Sequence, residues 1–205
     1  TGTGAVDAPF ATIAKAFAKI VEQSDSDPDR DYEIIVDGML LGPQEIEYNN
    51  ENTLYVNSIT LRGKTGNTDG INAGWDGKNT LLVEIGSALT INSDRGTDVN
   101  LIIKNLTIKG GYATNGGGIY LQNTIKNLTL SDGTIVTNNY AHSGGGVYVY
   151  NQSFTMEGTA KVTNNKALFY GGGVYVYEYP EVTIGGSAEI SSNEAQKGGG
   201  LYIGA

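Results

Sequence analysis

Carboxylates, tyrosines and amides are the residues of this chain with chemistry to offer, and their spacing decides what each can do. Hydrolysis of a glycosidic bond needs two Asp or Glu on one face, about 5–9.5 Å apart. A lyase for acidic polysaccharides would instead group acidic Ca²⁺ ligands with an Arg or Lys base. Asp69, Asp76, Asp94 and Asp98, with Arg62 and Arg95 nearby, fall in or near loops rather than at matching offsets. Farther on, Asp132, Glu157, Glu178, Glu181, Glu189 and Glu194 stand at unrelated positions, and the only histidine, His142, has no nucleophile at a recognisable spacing. The stretch 67–79, NTDGINAGWDGKN, is rich in oxygens but lacks the spacing of an EF-hand loop and the glycine-aspartate nonapeptide of calcium-binding β-rolls. It reads as a solvated loop, with Trp75 as a lid on the core. No catalytic residue, metal or cofactor is assigned.

The tyrosines are different, because they recur. Tyr120, Tyr148, Tyr175 and Tyr202 each follow a glycine triplet at the same offset, and Tyr150 and Tyr177 repeat two residues later. Aromatic rings with hydroxyls suit stacking on sugars or gripping a protein. Tyrosine also favours strands, and like residues stack along a ladder with no ligand present. Tyr140, Phe169, Tyr170 and Tyr179 are candidates to enlarge the file. A second recurrent set, Asn139, Asn165 and Asn193, precedes x-Ala by a fixed offset and reads as a structural stack at a corner.

Both sets need a scaffold that repeats. GGGIYL, GGGVYV, GGGVYV and GGGLYI begin at 116, 144, 171 and 198, a period of 27–28 residues that marks a solenoid. Four glycine runs at coil corners have a conformational explanation, and none carries the Lys-Ser/Thr of a phosphate loop. Within residues 144–170, three short alternating runs separated by turns form one three-sided coil. Aliphatics point inward, and Tyr and Thr outward. Stacking then sets Ile119, Val147, Val174 and Leu201 in one interior column and Leu121, Val149, Val176 and Ile203 in the next. A second wall holds Leu128, Phe154 and Val182 beside Leu130, Met156 and Ile184; a third holds Ile135, Val162 and Ile190.

The reading is a single all-β domain over 1–205, a parallel β-helix with three strands per coil. Residues 1–31 form an N-terminal cap region with a helix at about 10–23, whose Ile13, Phe17, Ile20 and Val21 share one face. Residues 32–110 form irregular coils with a loop at 63–80, and 111–205 form regular coils. Leu201-Tyr202-Ile203 opens a strand close to the last residue. A longer parent protein with further coils on the C-terminal side is expected.

The chain of 205 residues carries a formal charge of −9, with its 13 Lys and Arg scattered. Phosphate neutralisation needs clustered cations, so nucleic acid is an unsuitable partner, and an anionic membrane is equally so. No run is apolar and long enough to span a bilayer. There is no cysteine for disulfides or thiolate metal sites.

GGGVYV followed by FTMEGTAKVTNN resembles the repeats of bacterial cell-surface, adhesin-like proteins built on right-handed parallel β-helices. The opening GTGAVDAPFATIAKAF and then YEIIVDG look like the cap and first strand of such domains. A looser likeness connects GGGVY to the repeats of chlamydial polymorphic membrane proteins, although their Phe-x-x-Asn phrase is absent. The resemblance implies a right-handed coil and an exported protein, extracellular or displayed at the cell surface. It further implies a non-catalytic adhesin or stalk whose partner is a glycan or a protein of a host or neighbouring cell. Polysaccharide lyases and glycoside hydrolases on the same scaffold are the alternative.

Overall fold

The computed structural model describes residues 12–23, 30–48, 56–64, 70–74, 86–93, 99–122, 125–178 and 181–204. Their strands alternate apolar and polar residues and are too short to bury a core alone. They stack into three parallel six-stranded sheets, giving an all-β solenoid of about five turns. The first wall contains Asp31–Val36, Ser58–Gly63, Asn100–Lys104, Asn127–Leu130, Ser153–Met156 and Val182–Ile184. The tyrosine wall contains Gln44–Tyr48, Leu89–Ser93, Ile119–Gln122, Val147–Tyr150, Val174–Tyr177 and Leu201–Gly204. The third wall contains Met39–Leu41, Gly70–Asn72, Thr107–Lys109, Ile135–Thr137, Lys161–Thr163 and Glu189–Ser191. A fourth, three-stranded sheet of Tyr112–Asn115, Tyr140–Ser143 and Lys166–Tyr170 fills the corner between the third wall and the tyrosine wall.

The columns are in the order that alternation requires. Ile119, Val147, Val174 and Leu201 are in register, as are Leu121, Val149, Val176 and Ile203. Leu128, Phe154 and Val182 stack beside Leu130, Met156 and Ile184. Phe154 and Met156 are fully buried, and such a side chain contributes roughly 1.5–3 kcal/mol by leaving water.

Two expectations are corrected. Ile135 is not in the third-wall core column: it lies beside Lys161, while Val136 aligns with Val162 and Ile190 and is fully buried. The turn into this wall takes five steps from Leu130 to Ile135 and five from Met156 to Lys161, so Ile135 holds the outward place of Lys161; a count shifted by one residue exchanges the faces of a strand. Thr134 takes the inward place that Ala160 holds on the next rung, buried, donating its hydroxyl to the Ile103 carbonyl at 2.7 Å. Within the stretch read as a loop over 63–80, Gly70–Asn72 is a strand paired to Met39–Leu41 and Thr107–Lys109. Trp75, Asp69 and Asp76 lie outside the described residues.

The same period also governs the N-terminal half. Asp31 lies beside Ser58, Ser58 beside Asn100, Asn100 beside Asn127 and Asn127 beside Ser153, steps of 27, 42, 27 and 26 residues. Only the second step is long, so additional chain enters there without breaking the register.

The helix Ile13–Gln23 lays Ile13, Phe17 and Ile20, all buried, against the first coil. Gln44 stands where higher rungs place an aliphatic, and its Oε1 accepts the Ile13 amide at 3.4 Å. A polar group thus ends the column and holds the helix that covers it. At the opposite end Ile184 and Ile203 are 44% and 54% exposed, whereas Met156 and Val176 beneath them are fully buried.

The glycine triplets join the fourth sheet to the tyrosine wall. Gly144 has φ +64°, the left-handed region that L side chains rarely adopt. Gly145 is needed for proximity: a Cβ there would lie 2.4 Å from the Lys166 carbonyl oxygen and 2.5 Å from that of Gly172.

Candidate functional site

Alternation across each strand of the tyrosine wall sends its aliphatics inward and its tyrosines outward. Rung pairing then stacks the tyrosines: Tyr120 beside Tyr148, Tyr148 beside Tyr175, and Tyr175 beside Tyr202. Ring centroids are separated by 5.6, 5.2 and 5.4 Å with interplanar angles of 39°, 85° and 60°. Tyr150 and Tyr177 form the second file, stacked at 5.6 Å, and Gln122 and Gly204 continue that column on either side.

The file is not a flat platform. Tyr175 is only 9% exposed, enclosed by Tyr148, Tyr170, Tyr177 and Tyr202 at ring distances of 5.2, 5.8, 6.0 and 5.4 Å. Tyr120, Tyr148, Tyr150, Tyr177 and Tyr202 are half-buried. The hydroxyl of Tyr120 donates to Gln122 Oε1 and that of Tyr150 to Glu178 Oε1 at 3.1 Å. Burial first, and the neighbouring Tyr175 next, pushes the Tyr148 hydroxyl up to about 12. Burial likewise raises Tyr120 and Tyr175.

Of the residues expected to enlarge the file, Tyr170 joins it, at 4.9 Å from Tyr202, with Lys197 Nζ 5.5 Å from the Tyr170 ring centre. Tyr140 pairs with Tyr112 at 5.2 Å on the fourth sheet. Tyr179 lies outside the described residues. Phe169 sits beside Tyr170, and its partner across the rungs is His142, edge-on at 6.1 Å.

What places Phe169 there was missed in the sequence. Ala141 pairs with Ala167 but Ser143 pairs with Tyr170, so Leu168 and Phe169 together oppose His142 in a β-bulge. The bulge leaves Leu168 39% and Phe169 42% exposed. The signal was available: alanine to glycine takes three steps in Ala113–Gly116, Ala141–Gly144 and Ala195–Gly198, but four in Ala167–Gly171.

The asparagine column is engaged in the fold itself. Asn139 Nδ2 donates to the carbonyls of Ile108 and Thr137 and to Asn165 Oδ1, at 3.2, 3.0 and 3.0 Å. Asn165 Nδ2 does the same to Val136, Thr163 and Asn193 Oδ1, at 2.9, 3.0 and 3.1 Å. Each Oδ1 in turn accepts a backbone amide, Gly111 on Asn139, Asn139 on Asn165 and Asn165 on Asn193. Buried amides satisfied in this way hold the corner and have no bonds left for a ligand.

The carboxylates do not converge. Glu178 accepts from Tyr150, Glu157 from Ser131, while Glu189 and Glu194 pair with Lys161 and Lys166 at 3.1 and 3.0 Å. Arg62 is held by Glu33 through two bonds of 2.6 and 3.1 Å. Asp94, Arg95 and Asp98 lie outside the described residues. Among the described residues no group of three or more His, Asp or Glu could hold a metal ion, and no helix is long and apolar enough to cross a membrane. No family model, curated protein or solved structure matches the chain.

Proposed function

We propose that this β-solenoid is a non-catalytic rod, displayed at a bacterial cell surface as an adhesin or stalk, whose tyrosine wall grips a protein partner. The observation that carries the reading is the continuity, through Tyr175, of the half-buried rings of Tyr148, Tyr170, Tyr177 and Tyr202 with Phe169, which the bulge leaves exposed. Tilted rings and an enclosed Tyr175 make a contoured surface with an apolar knob, not the flat faces on which sugars stack. Aromatic anchors surrounded by polar groups are how protein interfaces concentrate affinity. The outward tyrosine recurs on successive rungs, which lengthens the contact along the rod. The likeness of its repeats to those of bacterial surface proteins supports the location.

A phage-displayed random peptide library panned on the immobilised rod tests the reading. Peptides should be enriched on the native chain and lost on a Tyr148→Thr/Tyr202→Thr chain that keeps its strand spectrum. Equal enrichment on both chains, or none on either, contradicts it.

A further inference from the structure

A second surface lies on the opposite side of the fourth sheet, where the third wall turns the corner. There the chain forms an open groove of about 620 Å³ whose lining comes from five consecutive rungs, from that of Asn72 to that of Ser192. At a rung spacing of about 4.8 Å it runs about 19 Å along the rod. Its floor includes the satisfied Asn139 and Asn165, and its rim is set by the residues just before them.

Those rim residues share one backbone conformation. Asn138, Asn164 and Ser192 have φ of 54°, 56° and 54°, and Gly110 fills the equivalent place one rung earlier with φ 76°. Glycine meets this conformation without strain, whereas a serine in it is disfavoured. Turning the corner therefore does not require a side chain at these three positions. All three side chains are exposed at the groove.

The chemistry there is mixed and close to neutral. The charged members are Lys109, Lys166 and Glu194, and Lys166 is paired to Glu194 at 3.0 Å. The rest of the rim consists of amides and a hydroxyl, which both donate and accept hydrogen bonds. A polyanion would meet little cationic attraction on a chain of charge −9. A polycation would find Glu194 already occupied. A chain of hydroxyls meets a donor or acceptor at each rung, and a sugar in an extended chain advances by close to one rung.

We propose that this corner groove binds a linear, uncharged polysaccharide lying along the rod axis, held by the side chains of Asn138, Asn164 and Ser192. The site is separate from the tyrosine wall, and it stands or falls independently of the protein contact proposed there.

Titration calorimetry with cellohexaose, xylohexaose, mannohexaose and maltohexaose, with a hexamer of galacturonate as the charged control, tests the proposal. One of the neutral hexamers should bind, and the galacturonate hexamer should bind at least tenfold more weakly. Asn138→Gly/Asn164→Gly keeps the corner conformation and the buried asparagine column, so it should melt near the native chain while losing at least tenfold in affinity. Tyr148→Thr/Tyr202→Thr should bind the sugar as the native chain does. No binding by any neutral hexamer overturns the proposal. So does equal binding by the double glycine variant, preference for galacturonate, or loss confined to the tyrosine variant.

Discussion

The first wall and the tyrosine wall solve the same folding problem with different outward residues. Both bury aliphatic columns, and both pair rung on rung in parallel. Outside, the first wall carries Thr129, Thr155 and Thr183 in register, where the tyrosine wall carries Tyr148, Tyr175 and Tyr202. Threonine and tyrosine are both good strand formers, so propensity accounts for either choice and does not select between them. The threonine wall engages its polar groups locally, with Asn127 donating to Thr129 at 2.9 Å. The tyrosine wall instead builds a raised aromatic surface, enlarged by Tyr170 and bordered by the bulge. The difference between the walls is where the proposed contact departs from what folding requires.

The comparison breaks most visibly if the interior is not what holds both walls. Phe154→Ala, beneath the threonine wall, should lower unfolding stability by about 3–5 kcal/mol in urea titration. A change below 1 kcal/mol would mean that the outer ladders carry the fold. Asn165→Ala should lose about 2–3 kcal/mol, since it strands the carbonyls of Val136 and Thr163 and the side chain of Asn193. Peptide capture by the tyrosine wall should survive that substitution at temperatures where the chain remains folded. The smallest effect sharpens the comparison by pH. Tyr148 titrates at about 12 in the folded chain against 10.0 ordinarily, so the unfolded chain releases its proton first. Stability should therefore be unaffected by this group below pH 10 and fall as pH rises from about 10 to 12. Tyr148→Phe should remove part of that alkaline loss; an unchanged alkaline profile would mean that the hydroxyl is hydrated.

Most of the interior was legible because side-chain alternation and the 27-residue step are both local signals. The columns through Val147 and Val149 follow directly from GGGVYV. Ile135 was misread because the column was counted from the glycine triplet, across a turn between the tyrosine wall and the first wall that varies, five steps from Gln122 to Asn127 but three from Tyr150 to Ser153. Counting back from Asn139, Asn165 and Asn193 gives Val136, Val162 and Ile190. Gly70–Asn72 escaped notice because a three-residue strand with one aliphatic has no period of its own and is defined by the rungs on either side. The fourth sheet has one inward alanine per strand, Ala113, Ala141 and Ala167, too weak an apolar signal to read as a wall. The tyrosine files were legible as columns, but the enclosure of Tyr175 was not, since Tyr170 reaches it from a different sheet.

Replacing the tyrosine wall's outward residues with those of the threonine wall is the most direct test. In Tyr148→Thr/Tyr202→Thr, the four lost ring contacts amount to about 0.5–1.5 kcal/mol each, so the urea midpoint should fall while unfolding stays a single transition. On the same samples, affinity for peptides selected on the native rod should drop at least tenfold. A folded double variant that still binds those peptides at native affinity would contradict the assignment of the tyrosine wall to partner recognition.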